Sequence, residues 1–413
     1  DGSALAFTAV HRLFVYDMAS GDTRQLGNLE VLQSTPAWSN DGKWLAFVSW
    51  SDFEGGLLWK IRADGGSPQQ LSRAPAFYRD PVWLPGDQEI LVAKGPWQQR
   101  GDRMVWNRIS AAGGDAVPVA PVSGSRPHFA ADPDRFYTYE RSGELVSMRL
   151  DGSDRSVVLR AFGQRPPLGP GGAQPADDVV MGPDGNYALV TANYQAYRVP
   201  VPSDPTRTVS VFEPAAGAGV EKLSTLGAEY ASWGRRGAEA TWALGNTLFR
   251  YRFADAAANG SYAPEELEVQ MEFPRDIPEG TLVLRGGRLL TMDPDKPNDG
   301  IIEDGAVVVV GNRIVRVGPS ADIPTPPGAR EIDVSGTTLL PGFIDLHAHT
   351  RPALGVHRNV AWDYLNYLAF GVTTARNPAE STEAQTYHDL VETGAFIGPR
   401  VYSTGPPILN DND

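Results

Sequence analysis

The sequence predicts a mainly β chain that becomes α/β towards its end: a β-propeller, then a small β-sandwich, then the opening strands of a (β/α)8 barrel. Three observations lead there. A turn-then-strand unit recurs through roughly the first 255 residues. Glycine (44) and proline (34) are frequent enough to favour many short strands over long helices. After residue 341 apolar strands alternate with amphipathic helical stretches.

The repeat reads most clearly as Asp1-Gly2-Ser3-Ala4-Leu5-Ala6-Phe7 and, forty residues on, Asp41-Gly42-Lys43-Trp44-Leu45-Ala46-Phe47. Looser copies start at Pro85, Asp132 and Pro183, with a degenerate one near Trp233-Gly234. Each puts Asp-Gly or a relative at a tight turn ahead of an apolar strand, which is a hairpin. A second hairpin per unit is expected at Asp64-Gly65-Gly66 and at Asp151-Gly152. Four short strands about every 40 to 50 residues make a propeller blade. The run Pro36-Ala37-Trp38-Ser39-Asn40-Asp41-Gly42-Lys43-Trp44-Leu45-Ala46-Phe47 resembles the TolB-type propeller repeat. Trp38, Trp83 and Trp233 are expected to pack between blades, and His11 and His128 to be structural.

Residues 256–280, rich in Glu and Pro, read as a linker. From Thr281 to residue 340 alternating strands predict the β-sandwich, with Gly311-Asn312 as a two-residue hairpin turn. The stretch Leu340-Pro341-Gly342-Phe343-Ile344-Asp345-Leu346-His347-Ala348-His349 follows and opens the barrel segment, 341–413. As a strand it places Phe343, Asp345, His347 and His349 on one face and Ile344, Leu346 and Ala348 on an apolar face suited to packing under helices. Two imidazoles two positions apart can then reach one divalent ion. Helices are expected at about 362–369 and 382–393, and strands at 371–377 and 398–405. The carboxyl ends of such strands carry the active site of a (β/α)8 barrel.

That ten-residue run, preceded by strands, resembles the start of the amidohydrolase superfamily, in its imidazolonepropionase-like branch. The resemblance implies a metal-dependent hydrolase of carbon–nitrogen bonds other than ordinary peptide bonds, holding one or two divalent ions, with zinc the expected metal. It implies His347 and His349 as metal ligands, and further His and Asp ligands from later strands. A bridging carboxylated Lys would also come later, because the last lysine here is Lys296. Asp345, His357 and Asn377 are candidates for substrate contacts or for orienting a ligand, whereas His388 is expected to be solvated. The chain is therefore read as incomplete at both ends, and inactive by itself.

The net charge of −14 disfavours nucleic acid, and no apolar run is long enough to cross a bilayer as a helix. With no cysteine, thiolate ligands and a cysteine nucleophile are excluded. The expected partner is a small amide or dipeptide-like substrate, with a protein partner at the propeller as a further expectation. The TolB-like repeat implies an extracytoplasmic setting. A reading from another class makes the chain a propeller-based binding module carrying a non-catalytic amidohydrolase remnant. A third makes it a peptidase whose propeller filters access.

Overall fold

The computed structural model describes residues 2–98, 103–164, 173–212, 214–259, 263–350, 353, 355–378 and 382–405. Its described residues up to Glu268 form six radially repeated sheets, the blades of a β-propeller. Blade 1 has three described strands, Ala4–Ala9, Arg12–Asp17 and Thr23–Gln25. Blades 2 and 3 start from the inner strands Leu32–Trp38 and Phe77–Trp83. The inner strands of blades 4, 5 and 6 are Ser125–Phe129, Asp178–Met181 and Glu229–Gly234. Blade 4 is enlarged by Ala173–Pro175 and by Thr208–Ser210, which runs parallel to Ser156–Gln164. Gly2 of blade 1 lies against Arg235 and Glu239 of blade 6, bringing the ends of the ring together.

The predicted turns sit where expected. Asp41-Gly42 connects the first two strands of blade 2, and Asp151-Gly152 joins Glu144–Arg149 to Ser156–Gln164. Four of the inner strands shift register over a residue with left-handed φ: Thr35, Asp80, Arg126 and Tyr230. These bulges turn the strand locally and interrupt its ladder. Tryptophans tie neighbouring blades together, as expected of inter-blade residues: Trp83 Nε1 donates to Ala37 O (3.0 Å) and Trp233 Nε1 to Val180 O (3.0 Å). Asp87 of blade 3 accepts hydrogen bonds from the main-chain N–H groups of Asn40 and Asp41 at 2.7 and 2.9 Å.

The stretch expected to be linker departs from that reading at its start. Residues Glu265–Glu268 form the outer strand of blade 6, paired with Thr247–Arg252 and held by Arg250 and Glu265 at 2.7 Å. The acidic composition that suggested a linker here serves a row of arginines on the neighbouring strand.

Beyond it comes the small β unit expected there, its described strands in one mixed sheet: β1 (Thr281–Leu290), β2 (Ile301–Val310), β3 (Arg313–Pro319), β4 (Arg330–Asp333) and β5 (Thr338–Leu339). One face packs Val283, Ala306, Val308 and Ile323 together, while Ile314, Val315 and Val317 stay exposed.

The chain then enters a strand-helix-strand-helix-strand unit: β6 (Phe343–Asp345), α1 (Trp362–Ala369), β7 (Val372–Asn377), α2 (Glu383–Glu392) and β8 (Arg400–Ser403). The three strands are parallel, in the order β6-β7-β8. Tyr364, Ala375, Tyr387, Leu390, Phe396 and Val401 form the core between sheet and helices. The apolar face expected to lie wholly under helices does so only at Ala348; Ile344 and Leu346 are 63% and 69% exposed. β6 is the edge strand, and the two helices cover the β7 and β8 side. Among the described residues no helix is long and apolar enough to cross a membrane.

Candidate metal centre

The four-position alternation expected from 343 to 349 is broken in the middle. Regular strand stops at Asp345, because its Oδ1 accepts the main-chain N–H of His347 at 3.0 Å. A carboxylate that bonds the backbone two residues on makes a turn in place of a ladder rung. The chain rejoins β7 when the Ala348 N–H donates to Arg376 O at 2.9 Å. Ala348 is buried in the helix-side core, so its two neighbours project away from that core and both are exposed.

The two imidazoles converge. His347 Nε2 and His349 Nε2 are 3.2 Å apart, with ring centroids 5.0 Å apart and planes at 77°. Two nitrogens each about 2.0–2.1 Å from a tetrahedral zinc stand about 3.3 Å apart, so this separation fits a shared cation. One ring can equally donate an N–H to the other, since the tautomers set which nitrogen is the acceptor. Imidazole pairs of this kind suit zinc and other first-row divalent ions. Among the described residues, no group of three or more His, Cys, Asp or Glu side chains is arranged to hold a metal.

The other candidates have specific places. Asp345 is half-buried and acts on the backbone of His347, so it shapes the turn that aims the ring. Burial, and after it the charges of Asp345 and Asp363, raises the Tyr367 phenol above the usual range. Asn377, fully buried at the end of β7, donates through Nδ2 to Thr350 O (3.0 Å) and Thr350 Oγ1 (2.9 Å). It thereby fixes the chain just past His349, while its Oδ1 has no hydrogen-bond partner among the described residues. His357 lies in the loop after β6, with its ring 5.3 Å from that of His11 and 4.9 Å from that of Tyr387. His388 differs from the solvated position expected of it: it is half-buried against Tyr402 at 4.8 Å, with Nδ1 buried.

The propeller histidines are structural. His128 Nδ1 lies 2.8 Å from Arg126 O, and its Nε2 accepts the Met181 N–H at 2.8 Å, which fixes the proton on Nδ1. Burial pushes its pKa down to about 4. Both ring nitrogens of His11 are buried with no hydrogen-bond partner among the described residues, and burial together with His357 lowers its pKa to about 3.

Sequence reasoning did not single out Thr350, the partner of Asn377, or Asp52 and Glu229, two propeller carboxylates that reach the loops beside the His pair. Asp52 and Glu229 hydrogen-bond to residues 307 and 153 positions away. No local pattern marks such a pairing.

No family model matches the chain. Part of it is 43% identical over 65 residues to an imidazolonepropionase from Acidiphilium cryptum, covering 16% of each chain. It is 29% identical over 123 residues to an imidazolonepropionase from Paracoccus denitrificans, covering 30% of this chain and 26% of that one. Among solved structures, TolB from Acinetobacter baumannii is 12% identical, with 60% of this chain and 59% of that one covered and a TM-score of 0.43. The chain thus spans about a quarter or less of the length of these curated relatives. Over that part it is similar to amidohydrolase-type enzymes.

Proposed function

We propose that this chain is the front part of a metal-dependent hydrolase of carbon–nitrogen bonds in small amides, with a propeller preceding its catalytic barrel. The observation that supports the reading is the 3.2 Å approach of two Nε2 atoms at the carboxyl end of the first of three parallel strands. Catalytic groups sit at that end in (β/α)8 enzymes. The likeness to imidazolonepropionases favours a cyclic or acyl amide over a protein peptide bond.

His347 and His349 would hold the ion. Bound there, a divalent metal would supply Lewis acidity towards a substrate carbonyl. The rest of the local chain keeps those two rings in place. Asp345 sets the turn before His347, buried Ala348 anchors the segment between the rings, and Asn377 grips Thr350 just beyond them. The carboxylate that would move the proton to the leaving nitrogen belongs to a later strand in this reading.

Two neutral imidazoles are half of a tetrahedral shell, so the chain should take up zinc weakly and hydrolyse no amide by itself. Zinc titration should give one weak site, lost in His347→Ala and in His349→Ala, with affinity down about tenfold or more in each. Zinc uptake that survives both substitutions would remove the reading. Tight binding accompanied by amide turnover would show that the site is complete in this chain.

A further inference from the structure

In a four-stranded blade the turn between the second and third strands and the start of the inner strand lie on the same face of the propeller. The Asp-Gly repeat equates Ala4–Ala9 with Trp44–Trp50, the second strand of blade 2, so the turn at Val10-His11, the loop at 51–56, the turn at Gly245 and the start of the inner strand at Glu229 all belong to that face. Each of them meets residues that follow β6 or β7, among them Val356, His357, Asn359, Thr382 and, in the first turn of α2, Gln385. The loops after β6 and β7 leave the carboxyl ends of parallel strands, the end that carries His347 and His349.

The contacts are reciprocal. Val356, from the loop after β6, is buried in the apolar cluster of blades 2 and 3 that contains Trp50 and Phe77. Val10 of blade 1 packs in return against the cluster that contains Ala348 and Tyr364. Asp52 Oδ2 accepts the main-chain N–H groups of Asn359 (2.8 Å) and Val360 (3.0 Å), and Asn359 Oδ1 accepts the Asp52 N–H at 2.9 Å. Trp50 Nε1 donates to the other oxygen of Asp52 at 2.7 Å, which orients the carboxylate. Glu229, 9% exposed, accepts the Thr382 N–H at 3.1 Å and also its hydroxyl, at the start of α2. Gln385 of the same helix lies beside Gly245.

Three neighbouring inner strands are tied together as well. Arg126 of blade 4 donates to Asp178 of blade 5 (2.5 Å) and to Ala231 O of blade 6 (2.8 Å).

The geometry points to the propeller as a fixed wall of the ligand mouth, docked on the first two strand-to-helix loops, with Asp52 and Glu229 as the positioning residues that hold them. Its link to catalysis rests on the proposed function, but the docking does not.

Hydrogen exchange on the whole chain tests the wall without metal or substrate. The amides of Asn359, Val360 and Thr382 should be protected, and Asp52→Ala with Glu229→Ala should speed their exchange about tenfold or more. The pair Asp52→Asn and Glu229→Gln, which keeps an acceptor oxygen at each place, should restore most of that protection. A general loss of structure would instead raise exchange in β1 and β2 too, and would not be rescued. Unchanged exchange at the three amides, or equal exchange in the Ala and amide pairs, would overturn the proposal. Zinc titration of the same proteins separates the two ideas. If the wild type takes up no zinc while the exchange pattern holds, the catalytic reading fails and the wall remains.

Discussion

At the scale of single residues, two pairs of histidines do opposite things. His347 and His349 are exposed and turned towards each other, with their Nε2 atoms 3.2 Å apart. His11 and His128 are held neutral by burial, with pKa values lowered from 6.5 to about 3 and about 4. Unfolded, both would bind a proton near 6.5; folded, neither does until the pH is far lower. Between those values the unfolded state carries more protons, so the stability these rings permit is complete above about 6.5 and declines as pH falls. Urea midpoints should therefore drop between pH 7 and pH 4.5. His11→Asn, which tolerates the left-handed φ of 59° at this turn and cannot titrate, should show a shallower drop. Equal pH slopes in the two proteins would mean His11 plays no part.

Among elements, most of the architecture was legible because its signals are local. Asp-Gly turns, period-two runs and the Gly311-Asn312 hairpin need only neighbouring residues, and each lies where its chemistry requires. Both barrel helices were readable for the same reason. The outer strand at Glu265–Glu268 was not, because four residues with acids at three of them look like linker until the arginines of the next strand are in view. Nor was the break at Asp345 visible: alternation predicts an unbroken strand, and only the side-chain bond to His347 ends it. The convergence of the two rings survives because Ala348 re-anchors the chain.

Gly342 shows what the junction of β6 and β7 demands. A methyl built at that position would overlap the Cβ and both γ atoms of Thr373, and a β-branched neighbour has little room to turn away. Gly342→Ala should cost about 1–3 kcal/mol locally, seen as faster exchange across β6 and β7. Adding Thr373→Ala should recover much of it. No recovery in the double variant would place the strain elsewhere.

The whole molecule is asymmetric in what it covers. The propeller seats Val356, Asn359, Val360 and Thr382, whereas the three-stranded α/β segment leaves several large apolar side chains exposed. Phe343, Ile344, Leu346, Trp362 and Phe370 are 54, 63, 69, 72 and 81% exposed. Exposed apolar side chains in this number offer sites to a hydrophobic dye. The chain should bind a dye such as ANS at neutral pH, and Ile344→Ser with Leu346→Ser should reduce the signal without lowering the propeller's stability. Full dye binding in that variant would move the sticky surface to the outer face of β3, where Ile314 and Val315 are bare.

The mutual bond between Asp52 and Asn359 joins residues 307 positions apart. A ribosome emits the first long before the second, and chains fold domain by domain as they emerge. The propeller blades can be folded while the later strands are still being translated, so residues such as Asn359 would meet a preformed surface and would not have to search for one. Nascent barrel strands, slow to pair because their contacts are non-local, would thereby gain a rigid surface on which to assemble.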